Sequence, residues 1–261
     1  MNATEALLRW SLTPGHTALA IGVSESAELG TALAALGLEG PRPVLVLVGG
    51  AAGLDPDLHR PLVDLFRTLV PVLTAAGAVV VDGGTRSGVM ALMGEAALGT
   101  GLPLLGVAAR GTLCLPGQGA ESPAGPDGGP EGADPDPRHG RFLLVPGTDW
   151  GDESPWIATA ASVLAGNQPS LTLVVGGGEV TARDLQEGLN LGRPALILAG
   201  TGGTADALAA GLRSGRAPAC DLPEGADRLV KVMDLGQATL DLPPLLRQRL
   251  GQRDQALTFG D

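Results

Sequence analysis

The stretch VVVDGGTRSGVMALMGEAA, residues 79–97, decides the fold. Its β-branched apolar run predicts a buried strand, and the glycines that follow predict a turn too tight for side chains. A helical pattern then begins near residue 89. Residues 44–53, 173–181 and 196–208 repeat this order of apolar run and glycine turn. Because backbone N–H groups at the start of a helix favour an anion such as phosphate, the repeated turns predict a nucleotide site.

Alternating strands and helices predict an α/β fold with a mainly parallel sheet covered by helices on both faces. The strands are expected at residues 17–24, 42–48, 78–81, 103–108, 141–145, 171–175, 194–199 and 228–233. The helices are expected at residues 56–76, 89–98, 155–164, 181–191, 204–212 and 243–250. Pro61 and Pro71 are expected to break or bend the first helix. Ligands of such sheets bind beyond the carboxyl ends of the strands, which is where the glycine turns fall.

The composition excludes several classes of protein. A formal net charge of −11 argues against a general nucleic-acid binder, which needs a basic surface. No window is long and apolar enough to span a bilayer, and the first residues do not resemble a signal peptide, so we expect neither membrane insertion nor secretion. Cys114 and Cys220 are far apart in sequence, which indicates neither a disulfide framework nor a zinc site. The expected location is the cytoplasm.

Familiar catalytic and nucleotide motifs are missing. The glycine turns do not match GxGxxG, and no GxxxxGK[ST] segment is present, so hydride transfer and ATP hydrolysis lose support. The chain has no GxSxG segment, and its histidines, His16, His59 and His139, are dispersed. Each histidine is therefore interpreted as a surface or structural residue.

The DGGTRSG turn supplies the first candidate ligand-binding residues. Gly83 and Gly84 permit unusual backbone angles, Thr85 supplies a hydroxyl, and Gly88 lets a helix begin close to a ligand. Arg86 is a candidate partner for a phosphate. The alternative is an ordinary short connection between a strand and a helix, which is common in α/β proteins. Four such turns in the same topological position favour the binding interpretation.

Two further groups of candidate residues lie at the predicted strand ends. Arg110 follows strand 103–108 and is a second candidate for phosphate recognition, with an exposed, idle side chain as the alternative. Asp149, Asp152 and Glu153 form an acidic cluster after strand 141–145. A magnesium ion bridging a diphosphate is left open there, but the spacing is not a specific metal signature, so a solvated acidic loop is the favoured interpretation and no metal site is assigned. Residues 111–141 are rich in Gly and Pro and predict a long exposed loop.

The ordered set of motifs resembles the SLOG superfamily. The segments are VLVLVGGAAG, VVVDGGTRSGVMALMGEAA, LLGVAARGT, RHGRFLLVPGTDWGDE and LTLVVGGGEVTARDLQEGLNLGRPALILAGTGGTADALA, spanning residues 43 to about 212. They are most similar to the LSDAT group, the prokaryotic relatives of the cytosolic amino-terminal domain of melastatin-type TRP channels. The resemblance implies one Rossmann-like domain over residues 1–261, with a carboxyl-terminal extension from about residue 213.

The resemblance also implies a function as a nucleotide-derivative binding or sensor protein, with ADP-ribose-like or NAD-derived ligands as the leading candidates. Besides the DGGTRSG turn, the residues it implies at the ligand are Gly49, Gly50, Gly177, Gly178, Glu179, Gly200, Thr201, Gly202, Gly203 and Thr204. A homodimer is left open. No nucleic acid or membrane partner is expected.

An enzyme of the same superfamily is the main alternative. Phosphoribohydrolases in it carry PGGxGTxxE, whose glutamate lies at the N-glycosidic bond. Here GGEVTARD has Val180 in place of the glycine and Asp184 in place of the glutamate, which demotes hydrolysis without excluding it. Glu179 and Asp184 are the candidate catalytic acids of that alternative, and a structural role in the first turn of a helix is the other interpretation of both. A third possibility is a protein-binding module with empty glycine turns.

Overall fold

The computed structural model describes residues 6–50, 54–114, 132–215, 222–223 and 225–250. Nine strands in these ranges form one sheet in the order β1-β2-β6-β5-β4-β3-β7-β8-β9. The strands are β1 (Leu8–Thr13), β2 (His16–Gly22), β3 (Val44–Gly49), β4 (Val79–Asp82), β5 (Leu104–Ala109), β6 (Arg141–Val145), β7 (Ser170–Val175), β8 (Ala195–Ala199) and β9 (Val230–Asp234). All neighbouring pairs are parallel except the hairpin of β1 and β2.

Helices cover both faces of the sheet, as the sequence predicts. They are α1 (Leu29–Ala35), α2 (His59–Ala75), α3 (Gly88–Ala97), α4 (Ser154–Ala165), α5 (Glu179–Asn190), α6 (Gly203–Ser214) and α7 (Leu235–Leu250). Apolar residues of α2, α3 and α7 form one core with Leu45 and Leu47 of β3. Those of α1, α4, α5 and α6 form the other core with Val44, Val46 and Val48. Strand β3 is a near-continuous apolar run because both of its faces are buried.

The order of the strands reverses beside β3. After β3 the chain passes to β4 and β5 on one side, whereas after β7 it passes to β8 and β9 on the other side. Strand β3 pairs with both β4 and β7, with Val44 opposite Val79 and Ser170. Connections that leave in opposite directions open a crevice at the carboxyl ends of the two central strands, the usual ligand site of open parallel sheets.

The predicted elements are present, with boundaries shifted by a few residues. The sequence pattern missed the edge strand β1 and the short helix α1. Pro61 and Pro71 do not break α2, because Pro61 lies in its first turn and the apolar face around Pro71 is buried. Helix α7 is twice the predicted length and contains Pro243 and Pro244. Its buried residues recur every four positions from Ala238, so packing outweighs the cost of proline.

The prediction of an exposed loop at residues 111–141 is wrong at both of its described ends, since Thr112 and Leu113 are also buried. Residues 115–131 lie outside the described ranges, but residues 132–140 are packed against the β4 turn. Thr85 pairs with Pro135, and the side chains of Asp136 and His139 are fully buried. A composition rich in Gly and Pro predicted exposure, and it does not show that Asp136 pairs with Arg138, and His139 with Asp82, when the segment packs.

Within the described ranges, no helix combines the length and apolar character needed to cross a membrane.

Candidate functional site

A cavity of about 600 Å³ opens at the switch point between β3 and β7. We call it the switch-point cavity. It is lined by the end of β3, the turns after β4 and β5, the turn before α4, and the start of α5. The lining residues are Leu47, Val48, Gly49, Gly50, Gly83, Thr85, Ser87, Met90, Ala108, Thr112, Ala133, Trp150, Glu153, Ile157, Gly178, Glu179, Val180, Thr181 and Asp184. This volume lies in the range typical of small-molecule sites, which is roughly 300–1,000 Å³.

Three of the four predicted glycine turns meet at this cavity. They contribute Gly49 and Gly50 after β3, Gly83 and Thr85 after β4, and Gly178 and Glu179 after β7, and Asp184 lies one helical turn further along α5. Residues from strands far apart in sequence therefore share one wall, because the carboxyl ends of parallel strands lie at the same edge of the sheet.

Two of these glycines allow the backbones to approach closely. A Cβ atom on Gly49 would collide with the carbonyl oxygen of Val175 on β7. One on Gly84, which has a φ of +67°, would lie 2.6 Å from the Cα of Gly106 on β5. Gly83 differs, because a Cβ atom there would meet no atom within 4 Å. Gly49 thus shapes the wall and Gly83 leaves space open to the cavity, whereas Gly84 does not line the cavity and brings the β4 turn against β5.

The amino terminus of α5 forms one end of the cavity. Its N-cap is Gly178, which has no side chain to bind the first amides, and residues 178–181 all line the cavity. The first N–H groups of an α-helix have no partner within the helix, and the helix dipole adds partial positive charge there. Glu179 lies in this first turn. The arrangement suits an anionic group placed against the amides.

The charged side chains that line the switch-point cavity are all acidic. They are Glu153, Glu179 and Asp184, and none of the described lining residues is Lys, Arg or His. The positive potential available to a phosphate therefore comes from backbone amides and from Arg183, which does not line the cavity but whose charge acts on Glu153 and Asp184.

The environment opposes ionisation of two of the three acids. Glu153 is 6% exposed, and burial raises the pKa of its carboxyl group. The charge of Asp152 raises this pKa further, whereas the hydrogen bond from the Gly151 N–H, at 3.0 Å, lowers it. Burial is also the main cause that raises the pKa of Asp184 to about 7, and the charge of Glu153 acts in the same direction. The hydroxyl of Ser154 interacts with the Asp184 carboxyl and lowers its pKa, but burial outweighs this contribution. Acids perturbed in this way are candidates for function.

The acidic cluster predicted after β6 is divided by the structure. Asp152 accepts the N–H groups of Thr148 and Asp149, both at 3.1 Å, so it holds its own turn together. Asp149 accepts the hydroxyl of Thr148 at 3.1 Å. Glu153 instead faces the cavity. In the described ranges, no three His, Cys, Asp or Glu side chains are grouped as a metal site would require.

The fourth glycine turn, residues 200–204, does not reach the switch-point cavity. Its glycines and Thr201 line a neighbouring cavity of about 330 Å³, which shares only Gly50 with the larger one and also contains Gly177. The carboxylate of Asp206 accepts the N–H groups of Gly200 at 2.6 Å, Thr201 at 3.3 Å and Gly202 at 3.1 Å. The amides expected to bind a ligand are thus already bonded to the protein's own acid.

The hydroxyls of this turn also serve the fold. Thr201 donates to the carbonyl of Leu198 at 2.6 Å and accepts the N–H of Gly176 at 2.8 Å. Thr204 donates its hydroxyl to Gly178 at 2.8 Å and its N–H to Gly177 at 2.9 Å. The fourth turn therefore supports the third one and positions the start of α5.

The predicted basic residues do not line the switch-point cavity. Arg86 is exposed, and its backbone N–H donates to Asp134 at 2.7 Å. Arg110 begins a short 3₁₀ turn in which Thr112, not the arginine, lines the cavity. Gly88 begins α3, and the next residue, Val89, donates its N–H to Gly50 at 3.2 Å. The start of α3 thus joins two of the turns through Val89, and Gly88 itself does not line the cavity.

A buried charged cluster supports the β4 turn from behind. His139 Nε2 lies 2.9 Å from Asp82 Oδ1, which also accepts the N–H of Gly84 at 2.7 Å. Arg138 forms a bidentate pair with buried Asp136, at 2.6 and 2.8 Å. The pKa of His139 is raised. Burial is the largest single contribution and lowers it, but the charge of Asp82, its hydrogen bond and the charge of Asp136 together outweigh burial. The cluster fixes Gly83 and Thr85 at the cavity wall.

The parallel sheet, the switch-point cavity and the glycine turns define a Rossmann-like α/β protein. The sequence model of the family described as SLOG in TRPM, prokaryote, matches residues 42–241, and the chain belongs to this family. The family assignment makes the chain a nucleotide-related binding or processing protein.

One solved structure similar to this chain is the X-ray structure of TM1055, a target of the Northeast Structural Genomics Consortium. It is 21% identical and has a TM-score of 0.48, with 78% of this chain and 99% of that chain covered. No curated protein matches the sequence.

Sequence reasoning missed Trp150, and it favoured a solvated position for Glu153. Trp150 lies in the turn after β6, is 45% exposed, and lines the switch-point cavity. The chain has three Trp, three Phe and no Tyr. An aromatic residue in a glycine-containing turn of such a chain is a signal that could have drawn attention to this position.

Proposed function

We propose that this protein binds a nucleotide derivative, ADP-ribose-like or NAD-derived, in the switch-point cavity and acts as a ligand sensor or ligand-sequestering module. The observation that carries the proposal is the meeting of three glycine turns and the start of α5 around one cavity of about 600 Å³. Membership of the SLOG family supports the same class of ligand.

The phosphate groups of the ligand lie against the start of α5 in this proposal. Residues 178–181 supply backbone amides there, and the helix dipole favours negative charge at this end. The carboxylate of Glu179 accepts hydrogen bonds from ribose hydroxyls. The raised pKa of Asp184, about 7, reduces the negative charge that the cavity presents to an anion near neutral pH.

A cavity-filling variant tests the proposal. Gly83→Leu adds a side chain in open space, and Gly83 does not have a positive φ, so the fold is expected to tolerate it. The matched control is Gly30→Leu at an exposed position of α1, where a Cβ atom also meets nothing within 4 Å. ADP-ribose, NAD and AMP are titrated against each protein by calorimetry and thermal unfolding, with and without magnesium.

A ligand that binds the folded state raises its stability by RT ln(1 + [L]/Kd), so the wild type and Gly30→Leu should show a higher Tm. Gly83→Leu should keep its fold and lose that increase. Equal binding by Gly83→Leu would contradict the proposed location. No binding of any nucleotide by the wild type would instead favour the protein-binding alternative.

Hydrolysis of an N-glycosidic bond is the second candidate function. The observation that favours it is the pair of buried acids, because Asp184 has a pKa of about 7 and lines the same cavity as Glu153. A protonated Asp184 would donate its proton to the departing base as the bond from C1′ to the base nitrogen breaks, and water activated by a second carboxylate would add its oxygen to C1′.

Incubation with NAD, ADP-ribose and nucleoside monophosphates, followed by chromatography for released base, separates the two functions. Turnover that is lost in both Asp184→Asn and Glu153→Gln would establish the enzyme. Binding without release of base supports the sensor. A control with Asp241→Asn, at an exposed position of α7, tests whether loss of one carboxylate outside the cavity lining has any effect.

A further inference from the structure

We propose that Trp150 is the base-recognition residue of the switch-point cavity, and that it stacks against a planar heterocyclic ring bearing N–H donors. This inference rests on the proposed nucleotide-binding function and adds to it the part of the ligand that the cavity selects.

Trp150 is unusual among the aromatic side chains of this chain. Phe66 and Phe142 are fully buried, Trp10 is 6% exposed, and Trp156 is partly buried against a core. Trp150 is 45% exposed. The other aromatic side chains of the described ranges thus contribute to packing, whereas Trp150 presents a large ring surface at the cavity.

The turn that carries Trp150 is held in place on both sides. Asp152 accepts two N–H groups from residues 148 and 149, and Glu153 accepts the N–H of Gly151 at 3.0 Å. Gly151, directly after Trp150, has a φ of +97°, which a residue with a side chain rarely adopts. A ring on a preorganised turn binds a ligand with little further loss of conformational entropy, as at other recognition sites built from rigid aromatic residues.

The same turn lies beside the start of α5. A Cβ atom on Gly151 would lie 3.7 Å from Val180 and 3.2 Å from Arg183, so the turn packs against the first turns of this helix. A ligand whose phosphate lies at the amides of residues 178–181 can therefore direct its base, which follows the ribose, toward the ring of Trp150. Glu153, three residues after Trp150, supplies a carboxylate that accepts hydrogen bonds from amino or amide groups on that ring.

A comparison of two probes tests this assignment. ADP-ribose contains the base, whereas ribose 5-phosphate has a sugar and phosphate without a base. Each is titrated by calorimetry against the wild type, Trp150→Ala and Trp150→Phe, with Trp156→Phe as the control for loss of an indole outside the cavity. Near-ultraviolet circular dichroism reports whether each variant retains its packing.

Trp150→Ala should weaken ADP-ribose binding by roughly 5- to 150-fold, the range given by base–aromatic stacking measured by alanine substitution. Trp150→Phe should retain most of the affinity, and Trp156→Phe all of it. The affinity for ribose 5-phosphate should be the same in all four proteins.

Each other outcome overturns the inference in a distinguishable way. Unchanged ADP-ribose binding by Trp150→Ala refutes stacking and leaves the proposed function intact. Equal losses for the two probes mean that Trp150 only supports the turn. If the wild type binds neither probe nor any other nucleotide, the proposed function fails, and this inference fails with it.

Discussion

Replacing Asp184 with asparagine removes a carboxyl group whose ionisation the fold opposes. The pKa of this group rises from its ordinary value of 3.8 to about 7, mainly through burial. Between these two pH values the folded state holds a proton that the unfolded state has released. The free energy of unfolding of the wild type therefore falls as the pH rises through this window.

The size of the effect follows from the two pKa values. Each pKa unit corresponds to about 1.4 kcal/mol, so the interval from 3.8 to about 7 amounts to about 4 kcal/mol as an order of magnitude. Asparagine has nearly the same shape and does not ionise. The stability of Asp184→Asn relative to the wild type should rise with pH by about 1.4 kcal/mol per pH unit across the window, and should level off above pH 7.

Urea denaturation at half-unit pH intervals from 4 to 8.5 measures this difference. Subtracting the two curves cancels the titration of groups that are common to both proteins. Asp241→Asn, which removes an exposed carboxylate from α7, controls for the change of one charge. A difference between Asp184→Asn and wild type that does not vary with pH would refute the reasoning, because it would show that the fold does not oppose ionisation of Asp184.

Three further changes test other parts of the structure. Asp206→Ala removes the acceptor of three N–H groups and should lower the free energy of unfolding by about 2 kcal/mol. Urea denaturation measures this loss, and an unchanged free energy of unfolding would show that these three bonds do not stabilise the fourth turn. Gly84→Ala should cost about 1–3 kcal/mol more than Gly99→Ala, because both have a positive φ but only the first meets the backbone of β5, and equal losses would disprove the close approach. The raised pKa of His139 means that stability from its pair with Asp82 is present below pH 6.5 and is lost as the pH rises through the folded-state pKa. Asp82→Asn should lower the pKa of His139 in an NMR titration, and an unchanged value would contradict this origin of the shift.

Local sequence pattern was sufficient for most of the architecture. Apolar runs followed by glycines predicted β3, β4, β7 and β8, because strands buried on both faces leave a continuous apolar signal. The edge strand β1 was missed although Leu8, Trp10 and Leu12 alternate with polar residues, because a strand in which only Trp10 is buried lacks the continuous apolar run of the inner strands. Helix α7 was underestimated because its prolines are local signals against a helix, whereas its burial against α2 is a property of the tertiary structure.

The candidate site was predictable in its elements and not in its assembly. Gly49, Gly83 and Gly178 could be placed at strand ends from sequence, and the parallel sheet brings those ends to one edge. The glycine pattern at residues 200–204 looks the same in sequence, but its amides bind the carboxylate of Asp206. Whether the backbone amides of a glycine turn can bind a ligand depends on whether a side chain of the protein already accepts their hydrogen bonds, as Asp206 does here.

The sequence by itself determined the family, the alternation of strands and helices, and the positions of the glycine turns, because these depend on short-range pattern and backbone freedom. The tertiary structure alone decided which turns share a cavity. It also decided that Glu153 and Asp184 face that cavity together, and that Trp150 stands at its wall. These features arise from contacts between residues far apart along the chain. A local sequence pattern does not show which side chains become buried, or which charges come close together, at such contacts.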